Sequence, residues 1–352
     1  MEKKQKSGYI TLLSVISMLA VVILHSNGCF WAFSAEARYW KTANVIESVF
    51  YFAVPVFFMI SGATLLDFRE RYDTAAYWKK RALKTVVPFL FWSLFGVAWR
   101  FWALRDLDPR QYGFFGIVNG ILNTEFVGIY WFFLPLFFLY AVIPLLALIP
   151  KEKKAEVCGA AALTLAVTTS VIPFFLNVFH TGVRWPLDPG TPTAYLLYVF
   201  LGYYLSRKEI PKPWRITLYV LALAGLAAHI VGTYVLSMRA GEIVTTFKGY
   251  VNLPCVLYAA GIFVFFKTLG DRLMAHPFPG KLINYLAPHT FTVYLLHWFI
   301  LSAFLKLAGH FGLDLGPILW YRLGAVIVVV PLCLLADLVV RKIPVVRYLL
   351  PA

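Results

Sequence analysis

The stretch TLLSVISMLAVVILHSNG, Thr11 to Gly28, decides the fold. From Ile10 to Cys29 the chain carries no Asp, Glu, Lys or Arg, and at ~1.5 Å rise per residue a helix of that length crosses a hydrocarbon core about 30 Å thick. His25 lies inside this run, roughly 22 Å along the helix from Ile10, in the far half of the bilayer. Ionisable side chains at that depth face a bundle interior or a wet cavity, and they mark functional sites. Two readings stand side by side: a reactive histidine, or one hydrogen-bonded to a neighbouring helix near the far interface, beside Ser26 and Asn27.

Similar apolar runs recur outward from this one. The 352 residues are 61% hydrophobic and 14% charged, with mean hydropathy +0.74, which excludes an ordinary soluble domain and indicates an all-α polytopic membrane protein. About ten spans are expected: 10 to 30, 47 to 66, 83 to 102, 130 to 149, 156 to 178, 193 to 206, 214 to 236, 250 to 267, 284 to 307 and 319 to 340. The sixth is short. The N-terminal run follows Lys3, Lys4 and Lys6 as a signal peptide would, but its length makes it an uncleaved first span. Aromatic residues, 18% of the chain, suit interfacial belts and aromatic-lined cavities. Cys29, Cys158, Cys255 and Cys333 show neither disulfide nor zinc spacing, so no metal is expected.

The net charge of +15 does not point to nucleic acid, because the cations collect between spans. With the N-terminus inside, the inner loops hold 22 of the 32 lysines and arginines, a bias that predicts cytoplasmic N- and C-termini and an even number of spans. Residues 1–352 read as one integral membrane domain, with no internal repeat and no inverted pair of broken helices of the transporter kind. The outer connection from Arg100 to Gly128, rich in Phe, Leu and Tyr, is expected to fold back as a partial lid. The loop from Phe179 to Thr193 carries His180, Arg184 and Asp188, which can shape an acceptor site or simply sit at the interface.

Two further constellations carry chemistry. The second span opens with Glu47 at the level His25 reaches from below, then runs through Pro55 and Ser61-Gly62. A carboxylate there can hold a histidine tautomer and stabilise its imidazolium; a solvated glutamate at a helix start is the plain alternative. Pro55 frees a backbone carbonyl, and Ser61-Gly62 allows close approach of a helix or ligand. The third span begins with YWKKRALKTVVPFLFW, Tyr77 to Trp92, where Lys80, Arg81 and Lys84 fall within about one turn. A cytosolic polyphosphate would find donors and a positive helix end there, although inner-side anchoring also places lysines in this position.

The ordered set of an apolar helix ending in His25, then FAVPVFFMISGATLL, YWKKRALKTVVPFLFW, YWFFLPLFFLYAVIPLL, YVFLGYYLS and APHTFTVYLLHWFIL resembles the acyltransferase 3 family of integral membrane acyltransferases across nearly the whole chain. The resemblance implies transfer of an acetyl or other short acyl group from cytosolic acyl-CoA to a hydroxyl, often of an envelope carbohydrate, in the lipid bilayer of a bacterial cytoplasmic membrane. It maps the family histidine onto His25, a general base for the acceptor hydroxyl, and the family's Arg-x-x-Arg onto Arg81 and Lys84, with Lys80 beside them for the coenzyme A phosphates. Glu47 would orient His25, and Asn27, Ser61, Tyr130, Trp131 and His297 complete the substrate-facing set; for Tyr130 and Trp131 an interfacial aromatic belt is the plain alternative to stacking on a sugar ring, and for His297, which with Tyr294 matches the family's YLxH motif, a structural role is. Three departures stand out. Ser14 occupies the place of the family's first-helix Arg; Lys84 replaces the second Arg and loses its bidentate geometry; and the C-terminal ADLVVRKIPVVRYLL, although it holds Asp337, lacks the acidic residue that some members place next to the closing proline. Ser14 leaves room for a rival reading as a transporter or flippase of an envelope glycan, and a non-catalytic partner of a polysaccharide synthase is a third.

Overall fold

The computed structural model describes residues 7–187, 189–343 and 349–350. Lys3, Lys4, Lys6, Asp188 and Arg347, read above from sequence, lie outside the described residues. The chain is a helical bundle of α1 (Gly8–Ser26), α2 (Arg38–Glu70), α3 (Thr74–Leu104), α4 (Gly128–Leu146), α5 (Lys151–Val178), α6 (Leu196–Arg207), α7 (Lys212–Ala240), α8 (Leu253–Ala275), α9 (Pro277–His310) and α10 (Leu319–Val340). Among the described residues nine of these are long and apolar enough to cross a membrane. The exception is the expected sixth span. At 12 residues it extends ~18 Å, short of a hydrocarbon core. Most of α6 is buried by protein, so it does not need the apolar length that lipid demands.

Burial sorts the helices. α1 and α2 are the most enclosed, and α5 and α7 expose most of their surface. α1 sits at the centre, against α2, α8, α9 and α10. α2 crosses α6 almost backbone to backbone, because both contact positions are glycines: a Cβ on Gly62 would lie 2.0 Å from the Val199 carbonyl oxygen, and one on Gly202 would lie 2.1 Å from that of Met59. The close approach expected at Ser61-Gly62 is thus to a helix.

Local breaks aim side chains inward. Pro55 has no N–H to donate back to Tyr51, and α2 is interrupted at Tyr51–Phe52; the freed Tyr51 carbonyl meets Cys255 Sγ at 4.0 Å. In α3 the residues Ala82–Val86 form a π-turn, a wider turn that shifts which residues share a face. Near the Gly8 end of α1, Asp67 is buried among Lys154 (2.9 Å), Arg207 (2.6 Å) and the Tyr203 hydroxyl, tying α2 to α5 and α6. Lys154, expected as an inner-side anchor, is 4% exposed and serves this pair. The connection after α3 packs on Val97, Leu107 and Phe126 and turns Phe114 and Phe115 of its short helix Gly113–Leu122 outward.

Because the Val199 carbonyl and the Met59 backbone are rigid, Gly202→Ala is expected to force α2 and α6 apart at a cost of about 1–3 kcal/mol. Thermal unfolding of the purified protein in detergent reads this as a lowered midpoint; an unchanged midpoint would mean that the crossing relaxes freely.

Candidate active site

Between α1, α2, α3, α4 and α9 lies a partly open cavity of about 720 Å³. It follows α1 from Ser14 to His25, a distance of ~16 Å. Arg81, Lys84, Tyr140 and Thr290 line it toward the Gly8 end of α1; Trp31, Glu47, Tyr51, Trp131 and Tyr250 line it toward the Ser26 end. The middle is apolar, with Val54, Phe57, Phe132 and Leu136. Polar groups at both ends and an oily waist suit a long ligand with a charged head and a reactive tip.

At the Ser26 end, His25 faces the cavity and its ring lies 5.1 Å from that of His297. His297 is fully buried on α9 and does not line the cavity. Its Nδ1 is 2.9 Å from the Val293 carbonyl; a carbonyl only accepts, so Nδ1 carries the proton there. Nε2 of the same ring is buried without a partner.

Glu47 lies at the expected level but has other partners than those expected. Its Oε1 is 2.8 Å from Lys248 Nζ, and its Oε2 accepts from Asn27 Nδ2 at 3.4 Å; among the described residues no hydrogen bond joins it to His25. Asn27 is fully buried behind the cavity wall rather than exposed to a substrate: it also donates to the Ala43 carbonyl and accepts from Arg322 at 3.4 Å. Arg322, nearly inaccessible within α10, continues the network to Thr42 and the Tyr39 carbonyl. Lys248, in the loop after α7, is set 3.5 Å over the ring of Tyr51 and about 5 Å from those of Phe30 and Trp31. Burial pushes its ammonium down from the ordinary lysine value, and the Glu47 carboxylate opposes that shift.

Aromatic rings build the rest of this end. Tyr250 stacks on Tyr51, with centroids 4.1 Å apart, and on Trp131 at 5.4 Å. Trp131 therefore stands where expected, and Tyr130 does not. The turn Gly128–Phe132 is a tight 3₁₀ helix, which sends Tyr130 into the core, where its hydroxyl donates to the Leu295 carbonyl at 2.8 Å. Ser61 does line the cavity, its hydroxyl donating to the Phe57 carbonyl.

At the Gly8 end, the Arg81 guanidinium rests 5.2 Å from the Tyr140 ring centroid, and its Nε is buried with no partner. Lys84, three residues on and inside the π-turn, shares the wall. Lys80 departs from expectation: it is exposed, 3.6 Å over the ring of Tyr72, and does not line the cavity. Ser14 returns its hydroxyl to the Ile10 carbonyl and shares the cavity with Arg81 and Lys84, the cations that another helix supplies here. Beside Thr290, Asp337 is buried against His289 (2.8 Å) and Arg341 (2.6 Å). The connection from Arg100 to Gly128 folds back on the bundle, with Lys306 donating to the Leu104 carbonyl, but neither it nor His180 and Arg184 line the cavity.

Sequence reasoning missed Lys248, Tyr250 and Arg322. Lys248 had a signal: a cation on the side that the charge bias depletes, flanked by Phe247 and Tyr250, needs a carboxylate at its own level, and Glu47 is there. Arg322 had one as well, an arginine within the tenth apolar run.

No curated protein and no solved structure matches the chain. The family model of acyltransferase 3, described as an acyltransferase domain, matches residues 7–337, nearly the whole chain. With its helices, its cavity and that match taken together, the chain belongs to the acyltransferase 3 family of membrane acyltransferases.

Proposed function

We propose that the protein transfers an acetyl or similar short acyl group from cytosolic acyl-CoA to a hydroxyl of an envelope carbohydrate or related acceptor, in a bacterial cytoplasmic membrane. The observation that carries this reading is that one cavity joins Arg81 and Lys84 to His25. The excess of cations near the Gly8 end supports a cytosolic side for that end. The coenzyme A phosphates then dock on Arg81 and Lys84, and the pantetheine arm runs along the apolar waist. The thioester reaches His25, and the acceptor enters among Trp31, Tyr51, Trp131 and Tyr250, whose faces suit a sugar ring.

The acceptor oxygen attacks the thioester carbonyl carbon while His25 takes the hydroxyl proton. The tetrahedral intermediate collapses, the C–S bond breaks, and the departing sulfur receives that proton from His25. The products are an acyl ester and free coenzyme A. Ser61 and the waist residues position the arm; Glu47 and Lys248 hold the wall of the acceptor end.

Two outcomes are expected. His25→Ala should lower coenzyme A thiol release in membrane vesicles by ~10²- to 10⁴-fold, the usual contribution of a positioned base, with the protein still folded; substantial retained turnover overturns the assignment. Calorimetry with acetyl-CoA and the protein in nanodiscs should show saturable binding that weakens about 10²-fold or more in Arg81→Ala/Lys84→Ala, as two charge-assisted phosphate contacts are lost. Binding that survives moves the phosphate site elsewhere; no binding by folded wild type turns the reading to glycan transport.

A further inference from the structure

A general base needs one ring nitrogen free and the other fixed, and the fixing group is commonly a carboxylate. Here the carboxylate at the right level, Glu47, is held by Lys248 and Asn27. His25 has a different neighbour, the ring of His297 at 5.1 Å. That ring is fully enclosed and its protonation is set by the backbone: with Nδ1–H donating to the Val293 carbonyl, the neutral imidazole leaves Nε2 as an acceptor. Nε2 is buried and unpartnered. A buried acceptor without a donor carries a desolvation cost unless its partner arrives at another stage of the cycle. Tyr294, the other polar ring beside His297, cannot serve, since its hydroxyl already donates to the Ile129 carbonyl at 2.9 Å.

We propose that His297 is the positioning residue of His25: its Nε2 accepts the His25 ring N–H, so that the remaining nitrogen of His25 presents its lone pair to the cavity. The ring contact closes to a hydrogen bond when an acceptor hydroxyl occupies the cavity, as catalytic hydrogen bonds commonly do on substrate binding. When His25 takes the hydroxyl proton, the positive charge faces a neutral imidazole, and the proton passes on to the departing sulfur rather than into the protein. The proposal rests on His25 acting as the base.

The test separates the two ring nitrogens of His297. His297→Asn keeps a donor where Nδ1 was and has no acceptor at the Nε2 position; His297→Gln can place its carbonyl oxygen near that position. Nitrogen-15 NMR of histidine-labelled full-length protein in nanodiscs, with the His25 signals assigned by their loss in His25→Ala, should show one dominant His25 tautomer in wild type and His297→Gln. A mixture of tautomers is expected in His297→Asn. Thiol release should fall on the order of 10²-fold in His297→Asn, with acetyl-CoA affinity unchanged, and recover in part in His297→Gln. An unchanged His25 tautomer in folded His297→Asn overturns the proposal, as does a wild-type mixture. Should His25→Ala retain turnover, the base assignment fails instead, and the tautomer spectra still decide the His25–His297 contact by themselves.

Discussion

A buried ion pair, Glu47 with Lys248, holds the end of the bundle where His25 sits. Both side chains are almost wholly withdrawn from solvent, and removing either would strand the other as an uncompensated charge, a loss of about 3–5 kcal/mol. The pair fixes the loop after α7 across the mouth of α2, brings Tyr250 onto Tyr51 and Trp131, and through Asn27 reaches Arg322 on α10. The aromatic end of the cavity is thus assembled from four separate stretches of chain by one charge contact and the stacking around it. At the opposite end the Asp67 cluster does the same for α2, α5 and α6. Between these two clamps, α1 lies along the cavity it lines.

The membrane explains why the polar groups that line the cavity could be read in outline from sequence. Apolar length made the helices visible, and any ionisable residue within them became conspicuous, which singled out His25. The grouping of Arg81 and Lys84 was visible because both lie within one turn, and both do line the cavity. What sequence did not show depends on local deviations from ideal geometry or on distant partners. Lys80 leaves the expected face with a π-turn just after it, and Tyr130 turns into the core because its segment is a 3₁₀ helix. Glu47 lies where expected, yet its partner is 201 residues away in a loop, beyond any periodicity argument. The short α6 could be counted as an element but not understood as one, since its burial against α2 depends on two glycines far apart in sequence.

Ser14 reads differently once the cavity is known. The family's arginine at this position would project into the same space that Arg81 and Lys84 already line. A serine that bonds to its own helix leaves that space open, with positive charge still present from α3. Positive charge at this end of the cavity thus comes from α3 where α1 supplies none.

The most direct test is a cryo-electron-microscopy structure of the full-length protein in nanodiscs with a non-hydrolysable acetyl-CoA analogue. The expected result is density through the cavity, with the phosphates at Arg81 and Lys84 and the acyl carbon close enough to His25 for a hydroxyl oxygen to sit ~3–3.5 Å from that carbon and within hydrogen-bond reach of the ring. Analogue bound outside the cavity, or with its acyl end away from His25, would contradict the reading of this cavity as the path from donor to base.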